Sequence, residues 1–364
     1  MIQLKIDLSI IYIEIWPYSG TYMAGSPVST HSPGGDEEKA PDTNNEQKAQ
    51  MEQAYQQMRR KMRMTRLAED VRHKIMVLSG KGGVGKSTVA TGLALSLARM
   101  GQKVGLLDID ITGPNLPKML GLEGTQLHVE EGQIHPAIGP HGVKVISMAF
   151  LIEDPDKPVI WRGPIKLGAI QQFIGDVAWG ELDHLIIDFP PGTSDEPLTV
   201  SQSIPNMNGV VIVTTPQEVA LLDSRKSINF AKTMNLPVLG VVENMRGYSV
   251  HGSANSNGTP ISNATIEIAG PSGQKIAVET NDKGDWNVIL DLFKSGGGEE
   301  SAKEMDVPFL GSLPFDPGVV RGGDDGVHRI VSEPNGPTAD AFELIVTRLI
   351  EELDSADDDG VTII

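Results

Sequence analysis

The chain of 364 residues contains no cysteine. That excludes disulfides, thiolate-ligated zinc and cysteine-held iron–sulfur clusters built from its own side chains. Aromatic residues supply only 5% of it. No apolar run approaches the roughly eighteen residues that cross a bilayer, so no membrane partner is expected. Basic residues are scarce: 30 Lys and Arg stand against 48 Asp and Glu, for a net charge of −18. Such a surface repels phosphate backbones, and no nucleic acid partner is expected. The first residues, Met1 to Trp16, lack the basic start and small-residue cleavage site of a signal peptide. A cytoplasmic location is therefore expected.

What is present is dominated by residues 79–88, Ser-Gly-Lys-Gly-Gly-Val-Gly-Lys-Ser-Thr. They fit G-x-x-x-x-G-K-[ST], with Gly80, Gly85, Lys86 and Ser87 at the fixed positions. The apolar run Ile75–Leu78 before them reads as a buried strand, and Val89–Ala98 after them as a helix. That strand–loop–helix setting makes the motif a phosphate-binding loop. The backbone of Gly80, Lys81, Gly82, Gly83, Val84, Gly85, Lys86, Ser87 and Thr88 would wrap a polyphosphate, helped by the positive end of the helix. ATP with Mg²⁺ is the expected ligand. Lys86 would reach the β- and γ-phosphates, and the Ser87 hydroxyl would hold Mg²⁺.

The rest of the chain alternates strands and helices. Strands are expected at 103–108, 143–147, 184–188, 209–214 and 238–242, and helices near 164–177, 195–204, 217–234 and 338–353. Continuous apolar strands separated by helices predict an α/β fold: a P-loop NTPase whose mostly parallel sheet is covered on both faces. Residues 1–45 read as a weakly structured extension, 46–73 as a polar helix and 355–364 as an acidic tail. The ATPase domain is expected over 74–251 and 291–354. Between its halves, residues 252–290 alternate with period two at Thr265–Ile268, Lys275–Thr280 and Trp286–Leu290, with turn residues between. They predict a small antiparallel β meander, similar to a fragment of an Ig-like repeat.

Ligands of such sheets bind at the carboxyl ends of the strands. Asp108 and Asp110 lie at one such end. Asp110 is the candidate for orienting the attacking water, with Asp108 nearer the metal. Leu185-Ile186-Ile187-Asp188 is an apolar strand ending in a second metal candidate, Asp188. Pro190-Pro191-Gly192-Thr193 follows as a stiff turn whose glycine N–H is placed to sense a γ-phosphate. Asn244 ends a later strand, and its amide is expected on the adenine edge. His128, His135 and His141 fall within fourteen residues at spacings that fit no standard zinc motif, and they are not read as a metal site.

Lys81, directly after the first glycine, makes the loop resemble the deviant Walker A ATPases, the group of MinD, ParA and the nitrogenase iron protein. That resemblance implies a homodimer in which Lys81 reaches the partner subunit's nucleotide and joins Lys86 and Asp110 as a catalytic residue. Further strings narrow it: Asp108–Pro114, Trp161–Pro164, Asp188–Glu196, Val242–Met245 and Ser295–Glu299. Together they resemble the Mrp/ApbC/Nbp branch, the iron–sulfur cluster carrier ATPases, over roughly two-thirds of the chain. This implies an ATP-hydrolysing carrier or assembly protein with iron–sulfur apoproteins or scaffold proteins as partners. The departure is plain. The Cys-x-x-Cys pair that the family carries after the Glu-Asn-Met string is missing, and the β insert stands in its place. A positioning ATPase like MinD or ParA, or a nucleotide-switched interaction protein, is the alternative reading.

Overall fold

The structure is a computed structural model that describes residues 43–110, 113–130, 133–151, 173–192, 206–270, 275–290 and 296–358, with a few single residues between them. The extension before residue 43, the Trp161–Pro164 string, Thr193–Glu196, residues 291–295 and the last residues of the tail lie outside the described residues.

The strands are β1 Val71–Leu78, β2 Val104–Asp108, β3 His128–Glu130, β4 Gln133–His135, β5 Ala137–Ile138, β6 Lys144–Ser147, β7 Leu182–Asp188, β8 Gly209–Thr214 and β9 Val238–Glu243. They continue as β10 Tyr248–Ser253, β11 Asn255–Ser256, β12 Thr259–Pro260, β13 Thr265–Ala269, β14 Lys275–Glu279, β15 Asp285–Leu290 and β16 Phe309–Ser312. The helices are α1 Thr43–Asp70, α2 Lys86–Arg99, α3 Leu116–Met119, α4 Glu218–Thr233, α5 Gly297–Glu304, α6 Pro317–Asp325, α7 Arg329–Ser332 and α8 Pro337–Asp358.

Eight strands form one sheet in the order β16-β9-β8-β1-β7-β2-β6-β5. All its pairings are parallel except β5 with β6. Strands β2 and β8 are buried along their whole length, because a parallel sheet is covered on both faces. One face packs Leu93 and Leu97 of α2 against Phe342, Val346 and Leu349 of α8. The other packs Ile228 and Ala231 of α4 with Ile170, Phe173 and Ile174. Each such fully buried Leu, Ile or Phe contributes roughly 1.5–3 kcal/mol of transfer free energy. The doubly covered α/β sheet is thus the one the apolar runs predict. The polar helix α1 begins a little earlier than expected and gives way to β1 at Val71. Only its end, at Met64 and Leu67, joins the core.

The insert pairs differently from a meander. Strands β13 and β14 form a hairpin, and β11 and β12 a second. The last strand, β15, pairs antiparallel with β10, from Tyr248↔Leu290 to Ser253↔Asp285. The physical reason is closure. A segment that leaves and re-enters one scaffold at neighbouring points brings its first and last strands together. Its root therefore stands at Tyr248 and Leu290, and the alternating run begins four residues before Gly252.

Candidate functional site

Strand register assembles the site. Asp108 and Asp188 are direct partners across β2 and β7, and Asp188 is level with Val77 of the central strand β1. Neighbouring parallel strands therefore bring two carboxylates to one height, beside the loop that leaves β1. Asp110 follows one turn of backbone later. Its N–H donates to Asp108 Oδ1 at 3.0 Å, and its own Oδ1 accepts from Gly113 N at 3.3 Å. Asp108 Oδ2 accepts from Ser147 Oγ at 2.8 Å. Both oxygens of Asp108 are thus committed to holding Asp110 and the end of β6. This residue works as a support for Asp110 as much as a metal candidate.

Lys86, the first residue of α2, turns its ammonium inward to Asp188 Oδ1 at 2.5 Å and to Ser87 Oγ at 3.3 Å. The pair is almost sealed from solvent: the two side chains are 6% and 1% exposed. Asp188 Oδ2 is buried with no hydrogen-bond partner in the described structure. Burial pushes the Asp188 carboxyl upward, against the pull of Lys86. Burial, and then the Asp188 charge, push Asp108 up to about 8. Two carboxylates and one lysine therefore share a dry site that is short of positive charge. Among the described residues no cluster of three His, Asp or Glu side chains is arranged around a metal. A hydroxyl, an unpaired carboxylate oxygen and a nearby second carboxylate suit a small oxygen-seeking cation that brings most of its ligands as phosphates and water.

The loop itself is shaped by close approaches. Gly85 has φ of +81°, and a Cβ there would lie 2.2 Å from Asn244 Nδ2. A Cβ on Gly80 would lie 2.2 Å from the Asp223 carbonyl oxygen of α4. Only glycine allows those neighbours to brace the loop. Asn244 is one of the braces. Its amide donates to the Val84 carbonyl at 2.9 Å, and its Oδ1 accepts from Met245 N at 3.0 Å. In this structure its side chain is buried against the phosphate loop, so the amide expected on the adenine edge is already engaged. Lys81 Nζ donates to Oε1 of Gln217, the residue that precedes α4, at 3.4 Å. Gly192 N–H, expected to sense phosphate, donates to the Ser79 carbonyl at 2.9 Å. The turn is therefore closed onto the strand end that precedes the loop.

Three supporting residues escape a reading by motif: Ser147 under Asp108, Gln217 on Lys81, and Glu243 beside Asn244. Glu243 is 1% exposed. It accepts from Gly298 N at 2.8 Å and from Ser312 Oγ at 3.2 Å, tying the start of α5 and the end of β16 to β9. Ser147 and Glu243 are polar residues closing apolar strands, and Glu243 also lies in the Val242–Met245 string, with no role assigned to it there. Beyond them a cleft of 920 Å³ opens between the root of the insert and α6–α8, lined by Tyr248, Phe315, Asp316, Arg321 and Arg329. Between the cleft residues Val327 and Arg329, His328 is buried and its Nδ1 accepts from Ile330 N at 3.3 Å.

A ParA family model described as NUBPL iron-transfer P-loop NTPase matches residues 70–267 and 282–350. An iron–sulfur cluster carrier protein of Methanocaldococcus jannaschii is 44% identical over 284 residues, 78% of this chain and 86% of the relative. Among solved structures, a nucleotide-binding protein from Archaeoglobus fulgidus in complex with ADP superposes with a TM-score of 0.56 at 34% identity, over 77% of this chain and 95% of that one. The septum site-determining protein MinD of Pyrococcus horikoshii, complexed with Mg-ADP, gives a TM-score of 0.51 at 22% identity, over 80% of this chain and 100% of that one, a likeness of fold alone.

Proposed function

The chain belongs to the NUBPL iron-transfer P-loop NTPase family, and from that premise we propose that it hydrolyses ATP as a cytoplasmic homodimer and serves iron–sulfur cluster carriage. One observation carries the ATPase reading: a buried lysine at the start of α2, held 2.5 Å from a strand-end aspartate whose other oxygen has no partner. A lysine in that position is stored, not spent. Polyphosphate entering the loop offers Lys86 a stronger counter-charge than Asp188 does. Lys86 then moves to the β- and γ-phosphates, and Asp188 and Ser87 are released together. Their oxygens, with Asp108 behind, are the residues that would hold Mg²⁺. When bound, that ion neutralises charge spread over the phosphate oxygens.

The remaining steps belong to the chain's own groups. The N–H groups of residues 82–88 line the loop and supply dipoles where the γ-phosphoryl charge develops. Asp110, buried and steadied by Asp108, orients water for in-line attack on phosphorus, and the bond to the leaving β-oxygen breaks. Gly192, freed from Ser79, reports whether the γ-phosphate is present. Lys81, resting on Gln217, completes the site of the partner subunit. Asn244, which now braces the loop through the Val84 carbonyl, would turn its amide to the adenine edge.

Cluster cargo does not fit this chain's own residues. A bridging iron–sulfur cluster takes soft thiolate ligands, and the sequence has none. His251, on β10, lies near the place of the missing pair and is a poor substitute for thiolates. Carriage therefore depends on a client or scaffold protein that brings the ligands. Phosphate release from the full chain with Mg²⁺·ATP tests the enzyme half. Asp110→Asn should slow it by about a hundredfold or more, in the range of general-base loss, with ADP affinity retained. Anaerobic reconstitution with iron and sulfide tests the other half. The isolated chain should hold no cluster, and about four irons per dimer with charge-transfer absorbance would refute that part.

A further inference from the structure

The antiparallel pair of β3 and β4 places His128 directly opposite His135, with Glu130 opposite Gln133. Side chains alternate across a strand, so His128, Glu130 and His135 share one face of this hairpin. The other face belongs to Val129 and Ile134. Ile134 packs on the core and its carbonyl accepts from Ala178 N at 2.9 Å, which pins the hairpin to the sheet. The two imidazole rings stand with centroids 5.7 Å apart. Glu130 Oε2 lies 4.0 Å from His128 Nε2 and 3.8 Å from His135 Nε2. The three side chains are 74%, 68% and 44% exposed, in chain order, so their torsions are free to adjust.

We propose that His128, Glu130 and His135 form a binding site for a divalent first-row transition metal. Two imidazoles and one carboxylate are the donor set of iron(II), cobalt(II), nickel(II) and zinc(II), and water completes the shell. Magnesium and calcium, which take oxygen ligands, are not suited to it. Metal–ligand bonds of 2.0–2.2 Å put tetrahedral donors about 3.4 Å apart. Among the described residues no group of three His, Asp or Glu side chains is arranged to hold a metal ion as it stands, so the site needs rearrangement on binding. From Glu130 to each imidazole the shortfall is about half an ångström, and χ rotations of the exposed side chains on a pinned backbone would bring the two rings, now 5.7 Å apart between centroids, onto one ion. The net charge of −18 favours cation approach. Sequence spacing hides the site, because the two histidines meet across a turn and on no helix.

The test is titration of the full chain with Zn²⁺ by calorimetry and with Co²⁺ by visible absorbance. One ion per chain should bind, with the d–d bands of nitrogen and oxygen ligation. The double variant His128→Ala/His135→Ala should bind at least about tenfold more weakly, and Glu130→Gln should weaken binding to a smaller degree. His251→Ala, which removes an exposed histidine of the insert, should bind like the parent. His128 and Glu130 are exposed and His135 is half-buried, so circular dichroism and the melting temperature should change little in any variant. The proposal is overturned if the parent takes up no Zn²⁺ below millimolar concentration. It is overturned equally if the double variant binds as tightly as the parent. Neither outcome bears on ATP hydrolysis, which uses none of these residues.

Discussion

Replacing Lys86 by Ala removes the one cation that, among the described residues, faces two buried carboxylates, and the damage should reach beyond nucleotide binding. Asp188 is 1% exposed and would be left without its 2.5 Å partner. Breaking a buried pair by removing one side costs about 3–5 kcal/mol, because the remaining charge is stranded in a dry site. For a domain of this size that is a fall in melting temperature of about 6–20 °C. Part of the cost is escapable. Asp108 is already pushed up to about 8 by burial and then by Asp188, and Asp188 is pushed up too. The orphaned pair will take up a proton, so the loss should be smaller at pH 6 than at pH 8. Adding Asp188→Asn to Lys86→Ala removes the stranded charge. The double variant should therefore melt higher than Lys86→Ala alone, while neither releases phosphate from ATP. Calorimetry of the nucleotide-free proteins at the two pH values, beside a phosphate-release assay, reads all of this. A Lys86→Ala protein as stable as the parent at pH 8, or a double variant less stable than the single, would show that the pair is not the buried, charge-short unit described.

The same site predicts a pH trend in the parent. A carboxyl raised from 3.8 to about 8 holds a proton in the folded state that the unfolded chain gives up. Stability should therefore fall as pH rises through that window, by up to about 1.4 kcal/mol per unit, and level off above it. Asp108→Asn should flatten the slope in urea titrations at pH 5, 6.5 and 8. Lys81→Ala should lower turnover by tenfold or more with little change in ATP affinity, since its Nζ now rests on Gln217 at 3.4 Å and its proposed action is across the dimer. Equal losses of both, in a protein that sediments as a monomer with ATP, would count against the trans role. Replacing residues 254–284 by an Asn-Gly turn joins Ser253 to Asp285, which already face each other. ATP turnover should stay within about twofold, because insertions on a closed root are tolerated; collapse of the fold would place the insert in the core.

The phosphate loop was legible because glycine and lysine at fixed spacing serve one geometry. The sheet was legible because strands buried on both faces must be apolar throughout. What could not be read has physical causes. Strand β10 is Tyr-Ser-Val-His-Gly-Ser, whose alternation is weak until Trp286 and its neighbours pair with it. Strands β3, β4, β5 and β16 have two to four residues each, too few to show a period. Helices α5 and α6 contain glycine pairs and one begins with Pro-Gly, so propensity argues against them. Tertiary contacts decide instead: Glu243 holds the start of α5 and Asp316 caps α6. The binding partner of Asn244 lies 160 residues away in sequence. No local pattern signals that this amide also braces the phosphate loop.

Two adjacent residues at the end of β9 join matters that the sequence keeps apart. Asn244 braces the loop through the Val84 carbonyl. Glu243, its neighbour, holds Gly298 on the chain that returns from the insert. Outbound chain reaches the insert root at Tyr248, four residues after Asn244, with Met245 in the left-handed region at φ of +62°. A non-glycine residue is kept in that conformation only where its surroundings over-determine it. Both ends of the insert thus hang from one buried strand end that also touches the phosphate loop. Nucleotide entry that displaces Val84 would press on Asn244, and through it on the root of the insert. In this chain, which has no cysteine, the β insert is what stands at the far end of that link.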